Sequence, residues 1–330
     1  MGLRASTVLF VGLALSHAAA GYATAAPSAH AGPKSDKYQI WRTAAVRALG
    51  SRTDANSLAT AAALSFTNSY AAPATGLAAL QLISRAADLA PQSAAIGWLH
   101  LQLCAETLSC DTRDIATVLR WVDPDNSAAW LAQLATARKD KDTVEVERVL
   151  ADMARGSRFD LYYNQLIVLM FDALSAARRE IPGSVASSDL ATLTALSAVV
   201  STEITPAFSP LIDACRESGA GAERREDCLK LAKIMQRGDT VIVQLAGFRI
   251  EKHFVAPDSK EGRSLAERRR LLEYRVSAAG KLDEAMLPWT QNARVRTRLT
   301  EMRLRPREED VCIALLRGRK ISLEPTENPP

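Results

Sequence analysis

The sequence predicts an all-α fold of stacked antiparallel helical hairpins, solenoid-like and with disordered termini, and three observations predict it. Apolar residues recur at three- and four-residue spacing along nearly all of the chain after residue 36. No stretch before residue 290 alternates apolar and polar residues for long, and the Asn-Gly dipeptide of tight β-hairpins is absent. A Pro-containing turn pattern recurs at Pro91 and Pro124, thirty-three residues apart, close to the period of helix-turn-helix repeats. The 330 residues are 48% apolar and 24% charged, which excludes collagen, a mucin-like stalk and wholesale disorder. Aromatics are only 5%, so Ala, Leu, Val and Ile must fill the core. A net charge of +4 is too mild to imply nucleic acid.

Residues 1–25 have the three parts of a cleavable signal peptide. Arg4 supplies the positive region, Val8 to Leu15 the apolar one, and Ala23-Thr24-Ala25 the cleavage site, with Ala18-Ala19-Ala20 as a second choice. The apolar run is too short to span a bilayer, and no later segment suits an integral membrane span. Met1-Gly2-Leu3-Arg4-Ala5-Ser6 also fits an N-myristoylation pattern, but the apolar run and small-residue site behind it explain the terminus better. No Cys lies near the cleavage site to carry a lipid. The expected location is therefore periplasmic or secreted, and residues 26–36 read as a flexible leader rich in small and polar residues.

Residues 37–180 read as a first helical hairpin region. Ile40, Trp41, Ala44, Ala45, Val46 and Leu49 recur at helical spacing until Gly50 ends the run. Thr53 to Ser69 is a second, Ala-rich helix; Pro73 opens a third that carries Leu77, Leu80, Leu82, Ile83 and Ala86 to Leu89. Leu89-Ala90-Pro91-Gln92-Ser93-Ala94-Ala95 is then echoed by Val122-Asp123-Pro124-Asp125-Asn126-Ser127-Ala128, with Trp98 and Trp130 after each, and a further helix start is expected near Ser157-Arg158-Phe159-Asp160. Asp125 or Asn126 can cap the new helix, and Pro124 cannot continue the old one.

Asp123-Pro124-Asp125-Asn126-Ser127-Ala128-Ala129-Trp130 resembles the junction between tetratricopeptide repeats, over about residues 88–160. In that family a Pro closes one hairpin and a Trp packs into the next. The resemblance implies stacked hairpins that present a groove to a protein partner. The chain departs from the family at Leu134, where a small residue is usual, and at Ala137, where an aromatic is; Trp98 is also displaced by one position relative to Trp130.

Residues 181–322 read as a C-terminal helical region with a basic face, after a helix over Leu161 to Ala177 so apolar that burial all round is expected. Ser187-Ser188-Asp189 caps the helix Leu190 to Glu203, and Pro206 and Pro210 frame the connection to Cys215. Gly219-Ala220-Gly221 is a turn into a helix from Glu223 to Arg237. Gly238 is placed to cap its end, and Asp239 or Thr240 to cap the next helix, which runs to His253. Arg294-Val295-Arg296-Thr297-Arg298-Leu299 alternates with period two and raises an extended segment there. Pro306 near the first position and Glu308-Glu309-Asp310 in the first turn start a final helix to Leu316, and residues 323–330 read as a disordered tail.

Of the five cysteines, Cys104 pairs with Cys110 and Cys215 with Cys228 in this reading, because an oxidising compartment favours pairing and both pairs flank apparent helix turns. Cys312 is left as a buried thiol. Neither spacing suits zinc, and no metal or cofactor site is expected.

Known catalytic motifs are missing: no H-E-x-x-H, G-x-S-x-G, Walker loop, G-x-G-x-x-G or S-x-x-K occurs. His17 and His30 fall in the terminal segment, while His100 and His253 read as helix residues. Glu106, Glu203, Glu251 and Glu273 sit among apolar neighbours, which keeps one alternative open: an exported carboxylate-dependent hydrolase or glycan-lytic enzyme without a recognised motif. From Cys215 onward there are 24 Lys and Arg against 18 Asp and Glu. Arg263, Arg268, Arg269, Arg270 and Arg275 are the candidate partner-binding residues, for a protein partner or an anionic polymer of the cell envelope; bases are disfavoured because no aromatics interleave them. The sequence leans away from catalysis and toward an exported interaction or scaffold module.

Overall fold

In the computed structural model, residues 36–66, 73–107, 110–182, 188–217, 221–284 and 291–325 are described, and the expected signal peptide and nearly all of the leader lie outside them. The chain is all-α, with fifteen α-helices and no strand among the described residues. In order they are α1 (Asp36–Gly50), α2 (Ala55–Ser65), α3 (Pro73–Leu89), α4 (Ala94–Ala105), α5 (Thr112–Val122), α6 (Leu131–Asp140), α7 (Thr143–Arg155), α8 (Tyr163–Ala176), α9 (Asp189–Val199), α10 (Ser209–Arg216), α11 (Ala222–Met235), α12 (Val241–Phe254), α13 (Lys260–Glu284), α14 (Gln291–Leu304) and α15 (Glu308–Gly318).

Many starts are set by a short polar side chain that accepts a first-turn N–H, one of the donors a helix cannot satisfy itself. Asp54 does this for α2, Ser93 for α4, Asp111 for α5, Asp142 for α7, Ser188 for α9 and Thr240 for α12. Asn126 likewise caps a single 3-10 turn, Ser127–Trp130, that leads into α6. A π-helical turn, Val200–Ile204, continues α9.

Helices α1 to α5 pack each on the next, as do α6 and α7. In α1 the stripe Trp41, Ala45, Leu49 is buried while Ile40 stays exposed. Every residue of α2 from Ser57 to Leu64 is buried, because small side chains let α1, α3, α4 and α8 approach it from several sides. The order then breaks. Helix α8 packs back on α1, α2 and α4, and also on α9 and α14, and Leu166, Ile167 and Met170 have no exposed surface; burial is not all round as expected, because Gln165, Asp172 and Ser175 keep one polar face in water. Further contacts join α6 to α10, α7 to α11, α11 to α12, α12 to α13, and α13 and α14 to α15. One core therefore runs from Trp41 to Val311 and crosses the expected division at residues 180 and 181 without a break. Smaller clusters form under α13, around Leu265 and Leu272 and around Ala279 and Leu316.

Several local expectations need correction. The period-two run at Arg294–Leu299 lies in α14, where Val295, Leu299 and Met302 fall four and three apart and bury one helical face. The packing stripe overrides the alternation of Arg residues. The helix expected near Ser157 starts instead at Tyr163. Residues 157 and 158 are held out of a helix because both their N–H groups donate to the Asp125 carbonyl. Pro306 precedes the N-cap residue Arg307 rather than occupying the first turn of α15. Gly238 is not in a left-handed conformation; a Cβ there would come within 2.8 Å of the Phe159 carbonyl, so the glycine permits close approach. Gly247 does the same where α12 crosses α11, a Cβ meeting the Ala232 carbonyl at 2.7 Å. Part of the expected tail is also held, since the Leu323 carbonyl accepts from Arg275 Nε at 3.3 Å.

Among the described residues no single helix is long and apolar enough to cross a membrane. Helix α9 with its π-helical turn and α10 reach that length and composition only together, bent by 46°, and Leu196, Val199, Ile204 and Leu211 among them are buried in the core.

Candidate functional site

Both cysteine pairs come together as expected. Cys104 and Cys110 close the turn between α4 and α5 with Cα atoms 5.2 Å apart. Cys215 and Cys228 tie α10 to α11 at 5.6 Å. Cys312 lies buried on α15, outside both pairs.

The five candidate arginines of α13 are engaged within the chain. Arg263 donates to the Asp258 carbonyl. Arg268 reaches Gln236 Oε1 at 2.5 Å and Glu251 Oε2 at 3.3 Å, with its guanidinium 5.6 Å from the centre of the Phe248 ring. Arg269 pairs with Glu273 and Arg270 with Glu267, each at 2.8 Å and each along the helix. Arg275 pairs with Glu309 at 2.8 Å. The basic strip is thus interleaved with its own acids, and its five members do not converge on one point.

The four candidate carboxylates are dispersed as well. Glu203, on the π-helical turn, pairs with the buried Arg42 at 3.0 Å. Glu251 accepts from Gln236 at 2.5 Å and Glu273 from Arg269. Glu106 is exposed at the end of α4. His100 is half-buried and its pKa is pushed down by that burial, against the pull of Asp88. His253 is exposed, its ring 5.1 Å from Phe254.

The chemistry of this chain concentrates elsewhere, around the segment 156–163 that leads into α8. Asn126 donates to the Asp160 carbonyl and to the Tyr162 hydroxyl, both at 2.9 Å, and its Oδ1 accepts from Asp160 N. The Tyr162 hydroxyl and Arg158 both donate to the Asp123 carboxylate, and Arg158 also reaches Asp160 at 2.9 Å. Tyr162 stands at φ 58°, left-handed for a residue with a Cβ, and has no side chain able to cap α8. Asp239 supplies that cap from a distance. Its two carboxylate oxygens accept from Leu161 N at 2.9 Å and from Tyr163 N at 3.1 Å, the amides on either side of Tyr162. Glu308 caps α12 in the same remote way, accepting from Val241 N at 2.9 Å, while Glu308 N donates to the Asp239 carbonyl at 2.7 Å. Asn164, on the first turn of α8, donates to the carbonyls of Arg305 and Pro306.

Asp160, Asp239 and Glu308 therefore meet where α8, α12 and α15 begin. Burial pushes the Asp239 carboxyl up to about 7, against its two backbone donors, and the charges of Asp160 and Glu308 push the same way. Burial also raises Glu308, against Val241 N–H and Arg298, and raises Asp160, against Arg158. Asp123, Asn126, Arg158, Tyr162 and Glu308 carry no sequence signal beyond turn and first-turn chemistry. For Asp239 a signal existed: two cap residues stand in a row before α12, which uses only Thr240.

Two concavities lie elsewhere. One is a void of about 10 Å³ between Trp41, Leu174, Arg178, Ile181 and Thr192; the other is an open hollow of about 710 Å³ along α3, lined by residues that include Leu80, Gln81, Ser84 and Arg85. Among the described residues, neither is lined by an acid. The two tryptophans of the repeated turn also sit in unlike surroundings: Trp98 is 1% exposed in the core, whereas Trp130 lies under the Arg120 guanidinium, 4.1 Å from the ring centre. Comparison with family models, with curated proteins and with solved structures returns no match for this chain.

Proposed function

We propose that the protein is an exported helical module that binds a protein partner through the outward face of α5. The observation that carries this reading is Trp121, 72% exposed, with Val118 one turn before it at 55%. An indole left in water on an ordered helix is costly to maintain, and Trp is the residue type most enriched where partners dock. Helix α8 packs on α2 and α4, so those faces are taken up within the chain and the reading turns to the outer helices. The two disulfides favour an oxidising compartment, periplasmic or secreted, and residues 1–25 supply the export signal.

A photo-crosslinking residue placed at Trp121, with a second placed at exposed Glu226 on α11 as control, tests this in envelope extract. A discrete protein adduct at position 121 that the control lacks, and that Val118→Asp suppresses, supports the reading. Equal labelling at both positions, or none at either, overturns it.

A further inference from the structure

We propose that the partner bound at α5 presents an Asp or Glu side chain to Arg120 beside an apolar side chain packed on Trp121, so that this face recognises an acidic-apolar protein segment. This rests on the reading of α5 just given and adds the chemistry of what docks there. Three observations carry it. First, Arg120 is half-buried, with its guanidinium over the Trp130 ring, 4.1 Å from the centre. Its hydrogen-bond partners are neutral: Nη1 donates to Gln133 Oε1 at 3.1 Å and Nη2 to Thr117 Oγ1 at 3.0 Å. Among the described residues no carboxylate pairs with it.

Second, the neighbouring acids are already engaged. Glu145 accepts from Arg148 at 2.7 and 2.8 Å and from Gln133 Nε2 at 2.7 Å, which leaves the Gln133 carbonyl for Arg120. Asp152 pairs with Arg148 at 2.7 Å. Asp123, one turn after Arg120, is held by Arg158 and Tyr162. The charge of Arg148 is thus compensated, yet its guanidinium, 5.8 Å from the centre of the Trp130 ring, brings a second cation close to Arg120. Burial and that cation both act against the charge of Arg120. A guanidinium carries five N–H donors. Two serve neutral acceptors here, and a carboxylate is the acceptor whose geometry and charge match the others.

Third, the cation and the apolar face are neighbours. Thr117 lies one turn before both Arg120 and Trp121, and its bond to Arg120 holds the guanidinium along the turn that carries Val118 and Trp121. Those two side chains are 55% and 72% exposed. An acid and an apolar group side by side on a protein satisfy both, whereas a basic segment is repelled. An anionic polymer would meet the cation and leave the indole uncovered.

The probe is a phage-displayed library of short random peptides, selected on the full chain with both disulfides intact and counter-selected on Trp121→Ala. Peptides that need Trp121 are expected to carry an Asp or Glu within a few positions of an aromatic or aliphatic residue. Changing that acid to its amide is expected to weaken binding to the wild-type chain about 10-fold or more, and binding to Arg120→Gln less than about 2-fold, because the charge it meets is then gone. Where Arg120→Gln does not fold, the amide comparison on the wild-type chain decides. Peptides that need Trp121 but show no enrichment in acids, or an amide change that costs both chains equally, overturn this proposal and leave the α5 reading standing. The absence of any peptide that needs Trp121 overturns both. A wild-type chain that sediments as a dimer, with Trp121→Ala a monomer, gives the face to a second copy and overturns the acidic segment. Dextran sulfate that displaces the peptide and binds Trp121→Ala as tightly as the wild-type chain gives the cation to an anionic polymer and overturns it likewise.

Discussion

The Tyr162 hydroxyl donates to the carboxylate of Asp123, 39 residues earlier, and this bond anchors the side chain of the residue whose backbone turns left-handed at the start of α8. The same carboxylate is held by Arg158, and Asn126 donates to the same hydroxyl. Four polar groups thus fix one turn. Removing the hydroxyl alone leaves Asp123 and Asn126 each short of a partner in a buried place. Tyr162→Phe, which keeps the ring near Trp98 at 6.4 Å, is expected to lower unfolding stability by about 1–3 kcal/mol. Chemical denaturation measures it; a loss below about 0.5 kcal/mol shows that the network is not what holds the turn.

Arg42 offers a second test. It is 5% exposed, donates to the carbonyls of Leu64 and Phe66 at the end of α2, and pairs with Glu203 at 3.0 Å. Those carbonyls have no partner within their own helix. Arg42→Met strands them and leaves Glu203 without its cation, for an expected cost of about 3–5 kcal/mol. Adding Glu203→Gln should recover part of that loss, and a double variant no more stable than the single would show that the ion pair carries none of it.

The disulfides differ in the loops they close. In the chain-entropy description, the thirteen-residue separation of Cys215 and Cys228 is worth about 3 kcal/mol and the six-residue separation of Cys104 and Cys110 about 2 kcal/mol. Cys215→Ser with Cys228→Ser should lower the melting temperature more than Cys104→Ser with Cys110→Ser does. The reverse order would mean that local packing, and not loop closure, dominates.

Along α13 the arginines are unequal. Arg270 is exposed and pairs with Glu267 within the same helix, so Arg270→Glu is expected to leave the melting temperature nearly unchanged. Arg268 bonds Gln236, the residue that ends α11, and Glu251 of α12, side chains that are each 8% exposed. Arg268→Glu sets a carboxylate against Glu251 and should cost about 2 kcal/mol. Paired melts of the two variants decide, and equal costs would contradict this division. Reversing Arg269 and Arg270 together is therefore the cleaner probe of binding to an anionic polymer, because it leaves the tertiary contact of Arg268 intact.

Much of the fold was legible because helix signals are local. Asn126, Ser188 and Thr240 cap helices within their own turns, as the spacing predicts, and the stripe Trp41, Ala45, Leu49 states its period within three turns. The cysteine pairs were readable because each joins neighbouring helices. Where local signals conflicted, the structure followed burial: the alternating arginines of α14 yielded to Val295, Leu299 and Met302. The acid junction was not legible, because its bonds span 67 to 78 residues and each residue separately looks like ordinary turn chemistry.

The amino-acid sequence by itself determined that the described chain is helical, where most of its helices begin, and which cysteines meet, since these depend on spacing within a few turns. Only the tertiary structure decided that α8 returns to pack between the first helices and α14, that the arginines of α13 pair with their neighbours, and that Asp239 caps a helix from another part of the chain. Desolvation is the physical reason: a carboxylate changes its chemistry when distant segments exclude water from it, and no local pattern of residues records which segments those will be.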